Sequence, residues 1–219
     1  MPEASASANR EIALFGATGR TGRLVLDQAL AAGYSVRALA RRPEAIAATS
    51  DRLVVVQGDV LDPAAVENTV RGTDAIISVF GQVKGSPASL QTRGTELIVE
   101  AMQREGLTRV ITLSGGGLPA EEHDQPKAAD RVIRFLLRKL APQVLDDAIG
   151  HLEVLKKSGL DWTVVRGPRL TDAAAAGTYR VGWVGVNAST QIARGDLASF
   201  ILTQLDDRTF VHELPFVSR

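Results

Sequence analysis

The chain has 219 residues, 45% of them hydrophobic, no cysteine, and 25 acidic side chains against 25 basic ones for a net charge of zero. The missing cysteine excludes disulfides, thiolate nucleophiles and thiolate-bound metal clusters and suits a reducing cytoplasm, while the balanced charge removes the long-range attraction of a dedicated nucleic-acid binder. No apolar run reaches the roughly 18 residues of a membrane span, so neither nucleic acid nor membrane is an expected partner.

The first ten residues are small and polar, lack an apolar signal core and read as a disordered tail. From residue 11 onward, short β-branched runs alternate with helical patterns. That alternation predicts a single α/β domain, a doubly wound parallel-sheet Rossmann fold with a small C-terminal lobe. Strands are predicted at 12–15, 34–40, 53–57, 75–80 and 109–113. Helices fill the gaps at 20–32, stopped by Gly33, at 63–70, opened by Asp62 as N-cap and Pro63 at the first position, and at 90–105, stopped by Gly106. The second half is less regular: a polar loop at 117–126, a helical stretch over 127–155 interrupted by Pro142, a strand at 161–166, a short strand at 178–184, a helix at 196–205 and a last strand at 209–213. The small lobe is expected from 117–157 and 167–195, over the carboxyl edge of the sheet where such folds bind ligands.

Gly16-Ala17-Thr18-Gly19-Arg20-Thr21-Gly22 lies between the first strand and first helix, where a dinucleotide-binding turn belongs. Gly16 permits the tight turn, Gly19 leaves room for the pyrophosphate, and Gly22 lets helix and strand approach. The helix N-terminus offers unpaired N–H groups to phosphate, with the Thr18 and Thr21 hydroxyls beside them. At the end of the second strand, where an NAD site places a carboxylate, the chain has Arg41 and Arg42. Guanidinium groups suit a 2′-phosphate, so NADPH is the expected cofactor. Asp59 and Val60, past the third strand, stand where adenine would rest.

The GATGRTG turn, Gly58-Asp59-Val60-Leu61 and the Ser158-to-Pro168 run SGLDWTVVRGP resemble the atypical short-chain dehydrogenases with an NAD(P)-binding, NmrA-like fold. Within that group the chain looks most like the NADPH-dependent flavin reductases of the biliverdin reductase B type. The likeness runs from about residue 11 to 213, except at 118–145, where this chain is longer. It implies cofactor contacts at Gly16 to Gly22, Arg20 included, and at Arg41, Asp59, Val60, Phe80, Gly81, Leu113, Ser114, Pro168 and Leu170. Where the flavin reductases carry a serine and a histidine near the substrate, this sequence has Gly115 and Arg169.

Most short-chain dehydrogenases use a Tyr-x-x-x-Lys pair as proton donor. Here the two tyrosines are Tyr34 and Tyr179, and the residues four beyond them are Ala38 and Trp183. Alcohol–ketone chemistry is therefore disfavoured, and hydride transfer to a conjugated small-molecule acceptor such as a flavin, quinone or tetrapyrrole is expected. A non-catalytic NADP(H)-binding redox sensor is the alternative, and either would be a monomer or homodimer. Ser114 and Arg169 are the candidate catalytic residues, Ser114 bonding the carboxamide or a substrate oxygen and Arg169 clamping an anionic acceptor. Thr112-Leu113-Ser114-Gly115-Gly116 lacks the first glycine of a nucleophile elbow. His123, His151 and His212 have no ligand spacing, so no metal is expected. Lys127, Arg131, Arg134 and Arg138 form a basic stripe at helical spacing. It reads as a solvated face whose apolar opposite side covers the active site, with a partner or membrane surface as the alternative.

Overall fold

The first strand sets the pattern for the rest. β1 (Glu11–Phe15) turns Ile12 and Leu14 to one face and Ala13 and Phe15 to the other, and all four are buried. A parallel strand covered by helices on both sides has no solvent face. The computed structural model describes residues 10–83 and 85–219. The expected tail over 1–9 lies outside the described residues, and Arg10 is anchored, its guanidinium paired with Asp206 and its carbonyl accepting the Ser35 N–H at 3.0 Å.

The chain continues through α1 (Arg20–Ala31), β2 (Ser35–Ala40), β3 (Leu53–Gln57), α2 (Pro63–Val70), β4 (Ala75–Ser78), α3 (Leu90–Glu105) and β5 (Arg109–Gly115). It then runs through α4 (Ala128–Leu140), α5 (Pro142–Lys157), β6 (Asp161–Gly167), β7 (Arg169–Thr171), β8 (Arg180–Gly182), β9 (Gln191–Ala193), α6 (Arg194–Thr203) and β10 (Phe216–Ser218). Among the described residues, eight strands form one sheet in the order β3-β2-β1-β4-β5-β6-β10-β8, parallel except for β8, which runs antiparallel at the edge. This is the doubly wound order, with its switch point between β1 and β4. α2, α3 and α5 cover the face of Ala13, Phe15 and Val164, while α1 and α6 cover the face of Ile12, Leu14 and Val165.

Several local rules hold as read. The Asp62 carboxylate accepts the Ala64 N–H at 3.0 Å with Pro63 at N1, and Gly33 and Gly106 end α1 and α3 at positive φ. Pro142 splits the stretch 127–155 into two helices at Ala141 (φ −141°, ψ 52°). A proline lacks the N–H to continue a helix and drives its predecessor out of the α region.

Other expectations are corrected. The last strand is Phe216–Ser218, not 209–213, which is a turn except for a lone bridge from Glu213 to Thr163. The Asp207 carboxylate accepts the Thr209 N–H at 2.9 Å and His212 takes a φ of 63°, so local bonding overrides the β-branched pattern. β7 and β9 pair as a small parallel ribbon inside the expected small lobe, in stretches with no predicted strand. The polar loop 117–126 is not wholly at the surface, since Leu118 and Ala120 are buried.

Candidate functional site

The carboxyl ends of β1 and β4 open into a crevice of about 460 Å³. Its floor is the glycine turn. Gly16 has a φ of +92°, and a Cβ there would fall 2.6 Å from the Phe80 backbone nitrogen, so the turn lies directly on the end of β4. A Cβ on Gly22 would sit 2.0 Å from the Gly16 carbonyl oxygen, which makes close approach of helix and turn the reason for that glycine. Gly19 caps α1, and no side chain caps that helix and no acid lies in its first turn. The uncapped N–H groups and positive end of α1 therefore remain available to an anion, and this cradle fits the diphosphate of a dinucleotide.

Gly16, Thr18, Gly19, Arg41, Asp59 and Val60 line this crevice, as do Phe80 and Gly81. Arg41 and Asp59 face one another with Arg41 Nε 3.8 Å from a carboxylate oxygen of Asp59, whose other oxygen accepts the Leu61 N–H at 2.9 Å. The segment Val83–Leu90, apart from Lys84, supplies a wall the sequence reading did not include, through Val83, Ser86, Pro87 and Leu90. Several expected contacts point elsewhere. Arg42 is exposed outside the crevice, Arg20 reaches Asp172 at 3.4 Å, and Thr21 is buried in α1. Leu113 and Leu170 pack into the core under α1 and α6 and line neither cavity. Strand alternation explains Leu113: in β5 it shares the face of Ile111, opposite that of Thr112 and Ser114.

A second cavity, about 470 Å³, lies at the ends of β5 and β6. Ser114, Gly115 to Gly117, Pro168 and Arg169 line it, and α4 closes one side with Ile133 and Leu137. Ser114 is buried, and its hydroxyl has no hydrogen-bond partner among the described residues. Such a group is an exception in a folded protein and marks a place for a ligand or a water. The glycine run is ordered: Gly116 donates its N–H to Gly167 O at 2.9 Å, and a Cβ on it would lie 2.8 Å from the Phe216 ring. Arg169 is exposed at the mouth and donates to the Gln191 side-chain oxygen at 2.6 Å.

Below this cavity is a buried ion pair that motif reading missed. Arg166 is fully buried, donates twice to the Asp124 carboxylate at 2.9 Å, and also bonds the Leu118 and Leu214 carbonyls at 2.8 Å each. Burial alone would raise the Asp124 pKa. The Arg166 hydrogen bonds, with the N–H groups of Ala120 and Val184 and the Arg166 charge, overcome it and hold the carboxyl below its usual range. Arg134 of α4 adds a second cation 3.6 Å from Asp124.

The tyrosines lie apart from both cavities. Tyr34 is buried, pairs with Asp206 at 3.4 Å and has its pKa raised by burial and by the Asp206 charge, and Tyr179 packs edge-on against Phe200 at 5.6 Å. His123 stacks on Trp183 at 4.2 Å, His212 faces the Leu160 carbonyl at 3.0 Å, and His151 is buried. Among the described residues no group of three or more metal-ligating side chains comes together.

A doubly wound sheet with an uncapped glycine turn at its switch point defines a dinucleotide-binding Rossmann protein. The sequence pattern of a family described as NAD(P)H-binding matches residues 16–208, and the chain belongs to that family. Over 155 residues it is 30% identical to a (4-alkanoyl-5-oxo-2,5-dihydrofuran-3-yl)methyl phosphate reductase of Streptomyces griseus, covering 71% of this chain and 46% of that protein. An uncharacterized chloroplastic protein of Arabidopsis thaliana is 27% identical over 170 residues, 72% of this chain and 58% of that protein. The chain thus spans about half the length of these two relatives. Among solved structures, a short-chain dehydrogenase/reductase of Veillonella parvula superposes with a TM-score of 0.78 at 20% identity, covering 96% of this chain and 94% of that one. A Veillonella parvula short-chain dehydrogenase/reductase in complex with NADP gives 0.76 at 19% identity (96% and 94%), and ChuY, an anaerobillin reductase from Escherichia coli, gives 0.75 at 18% (95% and 96%). These are likenesses of fold, and they agree with the resemblance to atypical short-chain dehydrogenases read from the sequence.

Proposed function

We propose that the chain is an NADPH-dependent reductase that delivers hydride to a flavin or a similar conjugated acceptor such as a quinone or tetrapyrrole. The observation that carries this reading is the pair of neighbouring cavities along the carboxyl edge of one sheet. One is built around an uncapped helix N-terminus with Arg41 at its rim; the other is largely apolar and holds an unpartnered Ser114. When bound, the cofactor supplies the hydride. The glycine turn and the α1 N–H groups hold the diphosphate, and Arg41 meets the 2′-phosphate as a charge-assisted donor. Asp59 and Val60 border the adenine. In the second cavity the Ser114 hydroxyl donates to the carboxamide or to an acceptor oxygen, and Arg169 stands at the mouth for an anionic substituent. With Tyr34 and Tyr179 packed elsewhere, no phenol serves as proton donor, which favours acceptors protonated by water.

NADPH oxidation by the purified protein with FMN, riboflavin, simple quinones and a dihydrofuranone phosphate tests the reading. The expected result is turnover with at least one conjugated acceptor. Tight NADPH binding without turnover of any of them would replace the enzyme by a redox sensor.

A further inference from the structure

α4 faces the wrong way for a helix that only covers a cavity. A surface helix turns its apolar stripe inward, yet none of the α4 residues is buried, and the two least exposed are the charged pair Asp130 and Arg134. Arg134 ties that polar edge to the body through Asp124, while Phe135, Leu136 and Leu140 stand 60%, 47% and 80% exposed. The exposure is concentrated. Of the ten large apolar side chains exposed among the described residues, eight lie between 132 and 149, which marks a contact surface rather than scatter. Charge is concentrated there too: residues 127–140 hold five basic side chains against the single carboxylate of Asp130, a net of +4 in a chain whose total is zero.

We infer that α4 is an interfacial helix that seats the mouth of the β5/β6 cavity on an anionic lipid surface. Phe135, Leu136 and Leu140 enter the headgroup–acyl boundary, Arg131 and Arg138 meet the lipid phosphates along one edge, and Lys139, its Nζ 6.0 Å over the Phe135 ring, reaches back to the headgroups from among the apolar side chains. A second copy of the chain is the poorer occupant, because a two-fold contact sets the same cations against themselves. A partner helix needs only a narrow seam, whereas the exposed apolar side chains of α4 spread over roughly half its circumference at about 100° per residue. The sequence pattern expects no membrane partner because no apolar run is long enough to span one, and it assigns the apolar side of this helix to the active site, with a membrane surface only as the alternative. Of those apolar side chains only Ile133 and Leu137 line the cavity, beside Asp130 and Arg134 of the same helix, and both remain partly exposed, at 56% and 38%. Cavity and outer face are therefore continuous, and an acceptor dissolved in the membrane, a quinone rather than a free flavin, reaches Ser114 without crossing water. This last step rests on the reductase reading; the docking does not.

Cosedimentation of the full chain with vesicles of mixed phosphatidylglycerol and phosphatidylcholine, and with phosphatidylcholine alone, tests the docking. Binding to the anionic vesicles is expected to be about tenfold tighter and to weaken with salt. The variants F135S/L140S and R138E/K139E, substituted outside both cavities, should each bind about tenfold more weakly while keeping their circular dichroism, thermal midpoint and NADPH affinity. Absence of binding to anionic vesicles, or binding indifferent to these substitutions, overturns the proposal. So does a concentration-dependent dimer, or retention on an acidic peptide, that F135S/L140S abolishes while lipid binding is absent. NADPH oxidation with FMN and a soluble quinone, run beside it, separates the two claims. Lost docking with turnover intact overturns only the membrane surface, and docking without turnover overturns only the reductase.

Discussion

In the proposed reading, Arg41 sets the preference for NADPH through one charge at the rim of an open crevice. Its side chain is 71% exposed, so it costs little to hold and is free to turn from Asp59 to a phosphate. Arg41→Asp should weaken NADPH binding by about tenfold or more and spare NADH, measured by fluorescence titration; equal losses would refute the phosphate role. Its neighbour Arg42 is just as basic in sequence but lies outside the crevice, because successive residues leaving a strand point in different directions. His151 shows a different consequence of placement. Buried on α5, it is pushed from 6.5 to about 4 by burial, against the opposing pull of Asp147. The unfolded chain therefore takes up a proton first as pH falls, and folding stability drops between pH 6.5 and about 4. Urea unfolding should show a loss of about 2 kcal/mol from pH 7 to 5, and His151→Phe should flatten that slope.

Among the elements, those governed by neighbouring residues are the ones legible from sequence. The α1 turn is one: Gly22→Ala would drive a Cβ to 2.0 Å from the Gly16 carbonyl, so the variant should lose NADPH binding and melt at lower temperature, read by titration and calorimetry. α3 is the contrast. Its N-cap, Ser89, makes no side-chain cap, and the work falls to Asp147 of α5. That carboxylate accepts the Gln91 and Thr92 N–H groups and the Thr92 hydroxyl at 2.8 Å each, and the Gln82 amide at 2.9 Å. Asp147→Ala should cost about 2 kcal/mol in urea unfolding with the helix content otherwise retained. No local pattern could announce that cap, because its donor and acceptor lie 55 or more residues apart. α4 was legible as amphipathic but not in its orientation. Periodicity fixes which residues share a face, and only the rest of the fold says what that face meets.

For the molecule as a whole, Arg166 and Asp124 matter most. They join β6, the 118–124 loop and the segment before β10 beneath the second cavity. Removing one partner leaves the other buried and uncompensated. Asp124→Ala should therefore cost about 3–5 kcal/mol in chemical unfolding, and a double variant with Arg166→Met should recover part of it. With its folded pKa held low, Asp124 stabilises the protein above the ordinary carboxylate range, and that contribution fades as pH falls through the depressed value. The residues themselves determined the alternation of strands and helices, the glycine turn at the first crossover and the arginine at the end of β2, because each depends on contacts within a few positions of the chain. The ion pair under the cavity, the Asp147 cap, the true last strand and the outward apolar face of α4 were decided only by tertiary structure. Their partners are brought together across 34 or more residues, or lie outside the chain altogether, and no local spacing encodes such a meeting.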